Sequence, residues 1–156
     1  MIGRENELNI LDQYYRKKEA QLIVVYGRRR VGKSFLLENW AAKKDHLFIE
    51  GLENQSTLKQ IQILKKQIMS KIDKPALASA EFKSWSSVLD LLSLYIEDNK
   101  SSSKKVVILD EFQWLCVGRS ELVSLIKLYW DQHWRKLNTD LILCGSIAHF
   151  MIQKVI

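Results

Sequence analysis

The chain has 156 residues, 47% of them hydrophobic, enough for one sizeable core, and one domain over residues 1–156 is expected. Only two cysteines, Cys116 and Cys144, lie in or beside apolar runs, which argues against a disulfide framework; no apolar run approaches the roughly 18 residues of a membrane span, and no charged-then-apolar leader opens the chain, so a soluble, cytoplasmic protein is expected. The net charge of +6 and pI near 9.3 admit nucleic acid as a partner, yet the basic residues are scattered in pairs such as Lys65 with Lys66 and Lys104 with Lys105, read mostly as solvated helix faces or loop ends, and no nucleic-acid-binding signature accompanies them.

Taken in order, the chain alternates helices with strands. Residues 5–18 carry Leu8, Leu11 and Tyr15 at helical spacing, with Glu5 and Glu7 in the first turn and Arg16, Lys17 and Lys18 in the last, as a helix dipole favours. Residues 21–26 read as a strand whose unbroken apolar character predicts burial on both faces. A helix follows to about residue 44, and residues 46–49 form a short second strand closed by Glu50 and Gly51. Leu58, Ile61, Leu64, Ile68 and Ile72 trace one helical stripe ending before Pro75, and Phe82, Trp85, Val88 or Leu89, Leu92 and Tyr95 or Ile96 trace another. Residues 99–105 are a polar connection to a third strand at 106–109; Ser120 caps a helix through residue 137; 140–144 is a fourth strand, and 148–156 begins a last helix. This alternation implies an α/β fold with a mainly parallel sheet and, through right-handed crossovers, helices on both faces: a three-layer αβα sandwich.

Between the first strand and its helix lies GRRRVGKS, Gly27 to Ser34, a complete G-x-x-x-x-G-K-[ST] phosphate-binding loop. A strand delivers the chain to a turn of inward-pointing N–H groups at the positive end of the next helix, a natural cradle for polyphosphate. Gly27 and Gly32 permit the close backbone approach, Lys33 reaches the β- and γ-phosphates, and the Ser34 hydroxyl is placed to ligate Mg²⁺. Arg28, Arg29, Arg30 and Val31 fill the loop and Phe35 follows it, so residues 27–35 form the expected nucleotide-binding run, with the arginines adding positive field or facing a partner.

The third strand ends in Asp110 and Glu111. Its carboxylate Asp110 falls beside the loop, where it can hold Mg²⁺ with Ser34, while Glu111 can orient and polarise a water for in-line attack on the γ-phosphate, favouring hydrolysis over transfer to a metabolite. The fourth strand ends in Gly145 and Ser146, whose hydroxyl can bond the γ-phosphate or the water and report whether ATP or ADP is held. Gln113 is a further candidate at the nucleotide region. Trp114 follows the acidic pair in a loop, either buried or an exposed contact, and His46, His133 and His149 have no metal-ligand spacing with the cysteines.

With these motifs in place, the chain resembles the P-loop ATPases of AAA+/STAND type, and particularly their prokaryotic and archaeal ATPase-domain family. The resemblance is carried by residues 2–8 (IGRENEL), the loop GRRRVGKS, DEFQWL at 110–115 and LILCGS at 141–146, the second and third holding the Walker A and Walker B motifs. It implies that Ile2, Gly3 and Arg4 lie near the adenine, that Glu111 is the catalytic carboxylate assisted by Lys33, and that Ser146 occupies the first sensor position. It also implies a strand order of 5-1-4-3-2, from which a fifth strand, a helical lid with its second sensor and the usual arginine are missing, so a truncated core with an exposed edge at the first strand is expected, open to a protein partner or a homo-oligomer. The leading expectation is Mg-ATP binding with hydrolysis. Its rivals are a nucleotide-dependent switch or scaffold with negligible turnover, a nucleic-acid-associated protein whose ATPase is secondary, and a small-molecule kinase. ATP rather than another nucleotide is favoured through the resemblance alone.

Overall fold

The computed structural model describes residues 4–27, 32–98, 102–117, 120–146 and 151. Ile2 and Gly3, the loop residues Arg28, Arg29, Arg30 and Val31, and nearly all of the last expected helix lie outside these. The elements run α1 (Arg4–Arg16), β1 (Gln21–Tyr26), α2 (Lys33–Ala41), β2 (His46–Glu50), α3 (Thr57–Met69), α4 (Trp85–Glu97), β3 (Lys105–Asp110), α5 (Phe112–Leu115), α6 (Leu122–Gln132) and β4 (Thr139–Gly145), with short 3-10 turns at Pro75–Ser79 and Trp134–Lys136.

The four described strands form one sheet in the order β1-β4-β3-β2, every neighbouring pair parallel. Side chains alternate across it. Leu47, Ile49, Val107, Leu109, Leu141 and Leu143 face a core shared with α3, α4 and α6, while Val106, Ile108, Ile142 and Cys144 face Leu11 of α1 and Leu37, Trp40 and Ala41 of α2. The αβα sandwich is therefore the observed architecture. Serines start the helices of the larger layer: Ser56 Oγ accepts from the Lys59 N–H at 3.1 Å, and Ser84 and Ser87 form a reciprocal capping box.

The expected two-sided burial of β1 does not hold. Every residue of β3 and β4 is buried, whereas Leu22 is 37% and Tyr26 46% exposed. The reason is position: among the described residues β1 pairs with β4 alone and forms the sheet's edge. α2 ends at Ala41 rather than near residue 44, because Lys44 folds back so that its ammonium donates to the Trp40 carbonyl at 2.9 Å and lies 4.4 Å from the Trp40 ring centre. The helix expected through residue 137 breaks at His133, and the break carries Trp134 fully into the core, where its indole N–H donates to Ser93 Oγ at 2.9 Å.

Lys104 and Lys105 correct the reading of basic pairs as solvated. They are 5% and 4% exposed. The Lys104 ammonium donates to the carbonyls of Tyr14, Lys17 and Glu19, at the end of α1 and just beyond it, and lies 2.6 Å from Asp140 Oδ1. Lys105 opens β3, donates to the Asp98 carbonyl and sits over the Tyr95 ring.

Both cysteines are free, as expected, and both are buried; burial pushes their thiols up, Cys116 to about 12, with Asp110 adding to the rise at Cys144. Neither carries appreciable thiolate at neutral pH. Both should therefore resist a disulfide thiol reagent in the native protein and react together on unfolding; a thiol titrating within seconds under native conditions would contradict this.

Candidate functional site

The carboxyl ends of β1, β3 and β4 bring the expected groups together. Gly27 leaves β1 with its N–H donating to the Gly145 carbonyl at 3.2 Å, so the loop starts against the end of β4. Gly32 returns the chain to α2 in the left-handed region, φ 79° and ψ 15°, a conformation that disfavours a side chain. From there Lys33 and Ser34 open α2, and the Leu36 N–H closes the first turn on the Gly32 carbonyl at 2.9 Å.

The loop and the third strand are joined by a short contact. Ser34 Oγ donates to Asp110 Oδ2 at 2.5 Å. Asp110 is fully buried, and its Oδ1 has no hydrogen-bond partner among the described residues. A buried carboxylate oxygen left in this way is costly unless a cation or donor meets it. Beside it, the Lys33 ammonium, itself buried, lies 3.6 Å from Glu111 Oε1.

Glu111 leaves β3 in the left-handed region at φ 49° and ψ 45°, unusual for a residue with a Cβ and a form of strain that concentrates at functional sites. Its Oε2 accepts from Gln113 Nε2 at 2.8 Å, from the Trp114 indole at 3.1 Å and from Ser146 Oγ at 3.1 Å. Trp114, read from the sequence as a loop residue, belongs instead to the short helix α5 and is half-buried. The strained turn at Glu111 lets that helix start at once.

A cleft of about 480 Å³ opens over these groups. Lys33, Ser34 and Phe35 form one wall, Glu50, Leu52 and Glu53 another, with Glu111 and Trp114 between them. It lies at the carboxyl ends of the strands, where ligands of open α/β sheets gather. Phe35 is 62% exposed on its wall. Partial burial raises the Glu50 carboxyl above the usual carboxylate range, and Asp110, Glu111 and Glu38 add to the rise.

One contributor had escaped notice in the sequence. Gln60, 2% exposed on α3, donates to the Trp114 carbonyl at 2.6 Å and accepts from the Leu52 N–H at 2.9 Å, tying one wall of the cleft and the Trp114 segment between its walls to one helix. The available signal is a polar residue on an apolar stripe, since Gln60 shares its face with Ile61, Leu64 and Ile68. Of the adenine-side candidates, only the Arg4 backbone is described, as the first residue of α1. Among the described residues no group of three His, Cys, Asp or Glu could hold a metal by itself, and no helix is long and apolar enough to cross a membrane.

Residues 1–155 match the model of a family described as an ATPase domain predominantly from Archaea. An uncharacterized protein of Methanocaldococcus jannaschii is 28% identical over 155 residues, covering 99% of this chain and 31% of its own length. Among solved structures, the Walker-type ATPase of Pyrococcus abyssi superposes with a TM-score of 0.64 at 24% identity, covering 94% of this chain and 45% of that one. Cdc6p of Pyrobaculum aerophilum gives 0.65 at 16% identity, covering 97% and 41%. The chain thus spans about a third of the curated relative and less than half of each solved one.

Proposed function

The chain belongs to the ATPase domain family found predominantly in Archaea, and from that premise we propose that residues 1–156 form a core that binds Mg-ATP and hydrolyses it to ADP and phosphate. The observation that carries this reading is the meeting of Ser34, Asp110, Lys33 and Glu111 within one cleft, at the ends of α2 and β3.

Each residue has a role that its chemistry supports. The loop amides and the Lys33 ammonium bind phosphate oxygens. Ser34 and Asp110 offer two hard oxygen donors, one of them on a buried carboxylate whose second oxygen lacks a hydrogen bond, and this donor set fits Mg²⁺, which is commonly held by one or two protein oxygens with substrate phosphates. Bound there, Mg²⁺ would supply positive charge to neutralise the phosphates. Glu111 orients the attacking water and accepts its proton, and the hydrogen bond from Ser146 Oγ to Glu111 Oε2 supports a sensor role for Ser146.

The test is a calorimetric titration of Mg-ATP into the wild type and into Lys33→Ala. Losing hydrogen bonds to a charged ligand costs about 1.5–3 kcal/mol, so the variant is expected to bind roughly 10–100-fold more weakly. Equal affinity in the two proteins would remove the phosphate-loop assignment.

A further inference from the structure

Resting on the hydrolytic reading above, we propose that Gln113 is a positioning residue for the reaction, its buried amide holding the Glu111 carboxylate and the Ser146 hydroxyl in one fixed arrangement. Gln113 is 5% exposed. Its Nε2 donates to Glu111 Oε2 at 2.8 Å and to Ser146 Oγ at 3.0 Å, while its Oε1 accepts from the Ser146 N–H at 3.3 Å. Ser146 Oγ closes the triangle on Glu111 Oε2 at 3.1 Å.

A primary amide has two N–H donors and one acceptor oxygen, and all are engaged here. That fixes its orientation: turned over, it would set oxygen against a carboxylate and NH₂ against a backbone N–H. The site is also crowded at the glycine before Ser146. A Cβ on Gly145 would stand 2.6 Å from Met151 Sδ and 2.8 Å from Gln113 Oε1, closer than such atoms approach in practice, so a larger residue would displace the Met151 side chain, the amide or both.

The consequence is a division of labour within one carboxylate. Oε2 is anchored by Gln113, Trp114 and Ser146, and Oε1 is turned toward Lys33 on the cleft wall. Because Glu111 sits on a strained turn, its direction depends on this anchoring more than a relaxed backbone would require. Among the described residues Gln113 lies behind the cleft lining, so it acts on the reaction through Glu111 and Ser146 rather than by touching the nucleotide itself.

The experiment compares the wild type with Gln113→Ala and with Gln113→Met, which matches the glutamine in length and guards against a variant that merely fails to fold. It reads Mg-ATP affinity, kcat, KM and the NMR resonance of the Trp114 indole N–H, assigned with Trp114→Phe. Affinity and KM are expected within about threefold of wild type, kcat is expected to fall roughly 100-fold, as small misplacements of a catalytic group do, and the indole resonance should shift. Folded variants with wild-type kcat would overturn this inference alone. A wild type that binds Mg-ATP without turning it over would overturn the hydrolytic reading, and this inference with it.

Discussion

Glu111→Gln is expected to keep Mg-ATP affinity near the wild-type value and to lower hydrolysis by about 10²–10⁴-fold, the usual contribution of a positioned general base. The substitution preserves shape and leaves an amide oxygen to accept from Gln113, Trp114 and Ser146, the three donors around Oε2. The new NH₂ then faces the Lys33 ammonium, replacing an ion pair 3.6 Å long with two donors, and it has no basic oxygen for a water proton. Single-turnover hydrolysis of ATP pre-bound to each protein separates the possibilities. A variant as fast as the wild type would remove Glu111 from the catalytic role. A wild type at the buffer background would instead favour a nucleotide switch that needs a partner for turnover.

The parts of this site that were legible in the sequence are those whose logic is local. The loop from Gly27 to Ser34 and the pair Asp110 and Glu111 are contiguous, and an aliphatic strand running into each fixes which end of the sheet it occupies. Their meeting follows from parallel strands alone. What the sequence concealed depends on residues far apart in the chain. Gln60 and Trp114 are 54 positions apart, and periodicity places Gln60 on a helix without saying that its amide reaches a carbonyl beyond β3. The apolar run of β1 reads as buried on both faces because such a run looks the same in the centre of a sheet and at its edge; it was the strand order implied by the family resemblance that placed β1 at an exposed edge. Lys104 and Lys105 were misread for the same reason: two lysines after three serines look solvated until the end of α1 and Asp140 are placed around them.

Replacing Lys104 with methionine is expected to destabilise the fold by about 3–5 kcal/mol, the cost of stripping the partner from a buried charge. The ammonium has three N–H donors, and three carbonyls at the end of α1 and just after it receive them. Asp140, fully buried on β4, lies 2.6 Å from the same ammonium, whose hydrogen bond and charge together compensate its burial, with a lesser contribution from the Gln21 backbone. Burial raises the Asp140 carboxyl above its ordinary range, and Lys104 is the main influence drawing it back. One side chain therefore joins α1 to the sheet at the end opposite the nucleotide cleft. Its loss leaves Asp140 without its cation and three carbonyls short of a donor. Urea denaturation of Lys104→Met should show the loss as a lower midpoint with an unchanged slope. In the double variant Lys104→Met with Asp140→Leu much of that loss should return, because a matched apolar pair is often as stable as a buried ion pair. A single variant within about 1 kcal/mol of wild type would mean that water reaches Asp140 and that the pair contributes little to holding α1 on the sheet.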